Sequence, residues 1–242
     1  MAHQVPWRRV LVEGVVIVAS ILLAFGIEAW WQSSQRHSDE LEALRRLDRA
    51  LVQVDQALID WRSNHQGVVA ASDILLEHTG PGGSSALSAD SIAAVLAPIS
   101  WAWTIDLSDV TFSAFESSGQ LGVLRNEELL VALASWRSTM ADLQGDERVA
   151  EESVYRDLVP FLNRHASWVT IEFSDQGLVA EGMAPPRPSR FQSGLPALLS
   201  SREFENLIRG RRTASAGAVL VYDTARIRLE RIRTLIGQEL VR

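Results

Sequence analysis

From Gly14 to Ile27 the chain reads GVVIVASILLAFGI, a stretch without a charged residue, and Val10 to Val12 before it and Ala29 to Trp31 after it extend the apolar run. A helix rises about 1.5 Å per residue, so Val10 to Trp31 covers roughly 33 Å, against a hydrocarbon core of about 30 Å. This length predicts one transmembrane helix over 10–31, preceded by a short tail over 1–9 and followed by a soluble domain over 32–242. Arg8 and Arg9 precede the span, and no acid occurs among the first twelve residues. Arg36, Arg45 and Arg46 follow the span, so arginine counts on the two sides are close. It is the nine-residue tail, easiest to leave in place, that puts the N-terminus in the cytoplasm of a bacterial inner (plasma) membrane and the C-terminal domain on the periplasmic or extracellular side. Arg8, Arg9, Trp30 and Trp31 read as interfacial anchors, with Trp7 beside them. A cleaved signal peptide is the competing reading, but the apolar core runs into Trp30-Trp31 instead of a small-residue cleavage site.

Glu13 stands at the entry to the span. The positive end of the helix dipole and Arg9 one turn earlier both favour its charge, which makes an anchoring role the simpler reading and a contact with a partner helix the sharper one. Ser20 and Ala24 form a small-xxx-small pair that would let two such helices approach closely.

The formal charge of −7, from 30 acids and 23 bases, argues against a nucleic-acid binder. All the bases are arginine. The absence of cysteine excludes disulfides, thiolate nucleophiles and cysteine-ligated metals.

No glycine or proline follows Gln32 until Gly67, so the membrane helix is expected to continue as a long helix over about 32–78. Leu44, Leu47, Leu51, Val54, Leu58, Trp61, His65, Val68, Ser72 and Leu75 alternate spacings of three and four, a heptad-like stripe that demands a partner helix. After the GPGGSS loop, Ser88 to Ala97 reads as a short helix ended by Pro98. Asp109 opens another, with Gly119 as its stop. Asn126 caps a long helix over about 127–165, with Gly145 and Pro160 as expected points of interruption. WVTIEF alternates like a strand, so 168–190 is expected to hold a small β-hairpin or loop excursion. Ser200 and Glu203 make a capping box for a last helix over about 201–240, whose face carries Phe204, Leu207, Val221, Ala225, Ile232 and Leu235. The fold expected is all-α: a membrane helix continuing into a long antiparallel helical bundle.

Residues 190–242 hold ten arginines against five acids, and 127–157 eight acids against three arginines, which packing of those two helices on each other would explain. Arg209, Arg211, Arg212, Arg226, Arg228, Arg231 and Arg233 could alternatively meet phosphate or anionic lipid. His3, His37, His65, His78 and His165 show no metal-ligand spacing, and no phosphate cradle or nucleophile elbow occurs. His65 falls on the buried stripe and reads as a packed histidine; Glu116 within FESSGQL is the acid nearest to a site. No catalytic residue, metal or cofactor is expected, and the chain is not expected to be an enzyme.

Glu13, Ala24 and Trp30, in the spacing E-x10-A-x5-W, together with FSAFESSGQLGVLRNEELLVAL from Phe112 to Leu133, resemble an uncharacterised family of bacterial single-span membrane proteins. The resemblance implies an N-terminal anchor and an α-helical soluble domain, and brings no known activity. The leading expectation is an envelope protein of interaction or scaffold type, meeting another copy or another envelope component. A ligand-sensing helical bundle is the alternative; with so short a cytoplasmic tail it would signal through a partner membrane protein.

Overall fold

No proline falls between Trp7 and Glu77, and these residues form one α-helix of 71 residues, α1. The computed structural model describes residues 7–83, 87–104, 115, 117, 119–169, 171 and 189–241, with side chains from residue 13 onward. At about 1.5 Å per residue α1 is roughly 107 Å long. Residues 13–39 are exposed on every side, and burial begins at Glu40. The most apolar window of this helix, near the N-terminus, has a mean hydropathy of 1.9 and no buried residue, so α1 is long and apolar enough to cross a membrane.

The remaining helices are α2 (Ala89–Ile99), α3 (Glu127–Glu152), α4 (Val159–His165), α5 (Leu195–Leu198) and α6 (Arg202–Val241), with a 3₁₀ turn over Gln120–Val123. Among the described residues no strand occurs, and the fold is all-α. The helices α1, α3 and α6 form the shaft. Asp48–Arg233, Asp55–Arg226 and Asp73–Arg212 pair α1 with α6 in descending order of α6, so the two run antiparallel. Arg231 meets Glu128 near the start of α3 and Arg211 reaches Ala150 near its end, so α3 is also antiparallel to α6.

Local signals set the ends. Asn126 accepts the Leu129 amide at 3.0 Å, satisfying one of the orphan donors of the first turn of α3. Its amide nitrogen donates to Glu239 at 2.6 Å, and the Glu40 carboxylate accepts the Arg125 amide at 2.8 Å. These bonds tie the three helices together at the end nearest the exposed segment. Gly119 stands at φ 73°, the left-handed conformation expected of a helix stop. Gly194, at φ 69°, passes so close to the His165 carbonyl that a Cβ would lie 2.1 Å from its oxygen. Only glycine fits there.

Several boundaries differ from the sequence expectation. Helix α2 runs past Pro98 to Ile99, because a proline in the last turn removes one bond without breaking the turns before it. Gly145 does not interrupt α3. The irregularity instead falls before Pro160, as a π turn over Ser153–Leu158. That wider turn leaves Pro160 in the first turn of α4, where a missing N–H costs little. The cap of α6 is Ser201, whose Oγ accepts the Phe204 amide at 3.3 Å, and not Ser200. Trp168, Val169 and Ile171 are helical where a strand was expected, and Ile171 is buried against Leu195 and its neighbours. Residue 170, residues 172–188, the Asp109 cap and Glu116 lie outside the described residues.

Candidate functional site

The core of the shaft is not continuous. One apolar cluster, around Leu47, Leu58, Leu133, Leu143, Ala225 and Ile232, fills the end near the exposed segment of α1. A second, around Val68, Leu75, Ile92, Leu158, Phe161 and Phe204, fills the far end, where α2, α4 and α5 cap the shaft. Where the two clusters meet, the buried positions are polar: His65, Ser72, Glu147, Arg211 and Ser215. Tyr222 closes this layer on the side of the first cluster.

Heptad spacing puts these groups inside. On α6 the buried residues Phe204, Ile208, Arg211, Ser215, Ala218, Tyr222, Ala225 and Leu229 alternate steps of four and three. On α3, Leu129, Leu133, Trp136, Leu143, Glu147 and Ala150 share one face. Position, and not hydrophobicity, therefore carries Arg211 and Glu147 into the interior.

Arg211 is completely buried. Its Nε donates to the Ile99 carbonyl at 3.2 Å, Nη1 to Ala150 at 3.3 Å and Nη2 to Trp101 at 2.9 Å. Among the described residues no carboxylate pairs with it. Burying an ion without a counter-ion is costly, on the order of several kcal/mol even after relaxation, so three carbonyl bonds only partly compensate. The Ala150 carbonyl also accepts from Ser153 Oγ. It lies just before the π turn of Ser153–Leu158. Burial pulls the Arg211 pKa down to about 10, which still leaves it charged at neutral pH.

His65 is also completely buried. Its Nε2 lies 2.9 Å from the Trp103 carbonyl, so Nε2 carries the proton and donates. That leaves Nδ1 as a bare acceptor, buried and without a partner, and Ser215 Oγ is in the same condition. Burial first, and then the charge of Arg211, lower the His65 pKa to about 4, against the opposing effect of the Trp103 bond. The His65 ring lies 5.7 Å from that of Tyr222, whose hydroxyl donates to the Glu147 carboxylate. Burial, that bond and the Glu147 charge push the Tyr222 pKa well above its ordinary value. Trp103 packs on Trp61 with ring centres 6.2 Å apart and donates Nε1 to the Pro98 carbonyl.

The seven arginines that the sequence offers to phosphate or lipid are engaged within the chain. Arg211 is interior. Arg212, Arg226 and Arg233 bind Asp73, Asp55 and Asp48 on α1. Arg231 meets Glu128, Arg209 meets Glu205 and Arg228 donates to Thr139. Among the described residues three of the seven thus pair with aspartates of α1 and one, Arg231, with an acid of α3. Half-exposed pairs of this kind fix register more than they add stability.

The membrane-segment candidates stay apart from the polar layer. Glu13, Ser20 and Ala24 are exposed, and Ser20 Oγ donates to the Val16 carbonyl of its own helix at 2.8 Å. Trp30 and Trp31 are exposed, and Arg8 and Arg9 belong to α1. Among the described residues no group of three or more His, Asp or Glu is placed to hold a metal ion.

Sequence reasoning placed His65 and Ser72 on the buried stripe of α1 but missed Arg211, Ser215, Tyr222 and Glu147. Extending the same alternation of three and four through α6 and α3, regardless of polarity, would have found them. Compared with known protein families, with characterised proteins and with solved structures, the chain shows no match.

Proposed function

We propose that this protein is a membrane-anchored helical component of the bacterial envelope that acts by binding another protein and carries out no catalysis. In this reading α1 crosses the inner membrane with its N-terminus in the cytoplasm, and the bundle stands on the periplasmic or extracellular side. The observation that carries it is the continuity of α1. One helix runs from an exposed apolar segment into the packed shaft without a break, which would hold the bundle at a fixed orientation to the bilayer. The two blocks Glu13–Trp30 and Phe112–Leu133 support placing the chain with the single-span family they resemble. Crosslinking in native membranes tests the reading: an adduct with a second copy or another envelope protein is expected, and only free monomer would count decisively against it.

The buried polar layer favours a second reading, a ligand-sensing bundle that signals through a partner. Polar groups in mid-core lower stability unless they serve another purpose. A screen of envelope metabolites for thermal stabilisation tests it, and a complete absence of stabilising compounds would remove its support.

A further inference from the structure

Arg211 and His65 reach the same short stretch of backbone from two different helices. Arg211 on α6 holds the carbonyls of Ile99 and Trp101, and His65 on α1 holds that of Trp103. Their polar heads are therefore neighbours. A guanidinium has five N–H groups. Three are taken by carbonyls, so among the described residues one on each Nη is left without an acceptor. Ser215 Oγ is buried and unpartnered on α6, one helical turn along from Arg211. In the register of Asp73–Arg212 it lies level with the stretch of α1 between His65 and Ser72.

We propose that this layer is a proton-coupled binding site for a small monovalent anion such as chloride, held by Arg211, Ser215 and a protonated His65. Neutral His65 leaves a bare Nδ1 lone pair buried and unpartnered, which would repel an anion placed against it. Protonation converts that atom into a third donor beside the Arg211 N–H groups and the Ser215 hydroxyl. Proton and anion thus enter together, and the net charge buried in the layer does not change. The other groups around His65 are otherwise engaged. From α3, Glu147 accepts the Tyr222 hydroxyl, and from α6, Asp223 pairs with Arg62 of α1 at the surface. Tyr155 stands near Arg211 and contributes no cation. An anion bound beside it is expected to raise the His65 pKa, against burial and the Arg211 charge that lower it. The site lies inside the bundle and is independent of any partner surface.

The test uses the full-length protein in mild detergent, with chloride exchanged for bulky gluconate at constant ionic strength. Chloride is expected to raise the melting temperature at pH 5.5, and its apparent affinity should weaken by up to about tenfold per pH unit on going to pH 8. Nitrogen NMR of the His65 ring should show its pKa rising in chloride. Ser215→Ala should weaken the chloride effect several-fold, and the NMR titration of the unmodified chain gives a readout even if Arg211→Met fails to fold. Equal melting in the two salts at pH 5.5 overturns the proposal. A chloride effect that ignores pH and Ser215→Ala marks an adventitious ion only and overturns it equally.

Discussion

The Tyr222 hydroxyl donates to the Glu147 carboxylate inside the bundle, joining α6 to α3 where the two apolar clusters meet. Tyr222 is fully buried and Glu147 nearly so. Removing one partner of such a bond strands the other in a medium that solvates it poorly.

Tyr222→Phe is therefore expected to destabilise the bundle by about 1–3 kcal/mol. Tyr222→Phe combined with Glu147→Leu should cost less than the sum of the two single changes, because the stranded acceptor disappears. Urea unfolding of the four species gives the coupling. Strict additivity would show that the two groups do not share a bond.

Stability should fall with acid through His65. Its folded pKa of about 4 lies below the ordinary 6.5. The unfolded state binds the proton first, so the contribution of the neutral ring is complete above about pH 6.5 and is lost progressively as pH falls toward 4. The loss is on the order of 3 kcal/mol across that window, at 1.36 kcal/mol per unit. His65→Phe should flatten this part of the curve. Denaturant midpoints from pH 8 to 4 in gluconate buffer check it, and parallel curves for the two chains would contradict it.

Arg211→Ala should be among the most damaging single changes, at about 3–5 kcal/mol, since it empties a buried volume and leaves the Ile99, Trp101 and Ala150 carbonyls without their donor. Arg211→Met refills the space and removes the buried charge, so it should cost clearly less. Chemical denaturation monitored through the tryptophans would compare them. A methionine variant no more stable than the alanine variant would refute the volume argument.

Asn126→Ala removes both the cap of α3 and the bond to Glu239. A loss of about 1–2 kcal/mol is expected, with hydrogen exchange rising first around residues 126–130. Unchanged protection there would mean that the cap contributes nothing.

The α1 stretch between Gln32 and Asp39 is exposed but helical. Limited proteolysis of the folded protein should spare it, because proteases need an extended backbone, and cleavage should instead fall in loops. Early cutting within 32–39 would show a flexible linker and break the rigid coupling of the apolar segment and the bundle.

The sequence alone determined the features that depend on local order: the apolar run ending at Trp31, the breaker-free passage into the Leu44–Leu75 stripe, the Asn126 cap and the Gly119 stop. Each follows from residues within a few turns of one another, where propensity, capping and periodicity act directly. Tertiary structure decided the rest. Whether Arg211 points to solvent, lipid or core depends on which helices pack around it, and an arginine-rich helix read on its own suggests a surface. The π turn before Pro160 and the helical Trp168 likewise answer to packing against other elements that local pattern does not encode. The polar layer is the clearest case, because its members are separated by up to 157 residues, from His65 to Tyr222, and meet only when α1, α3 and α6 lie side by side. Periodicity could fix which residues face inward; only the antiparallel register of the helices fixes which of them share a level.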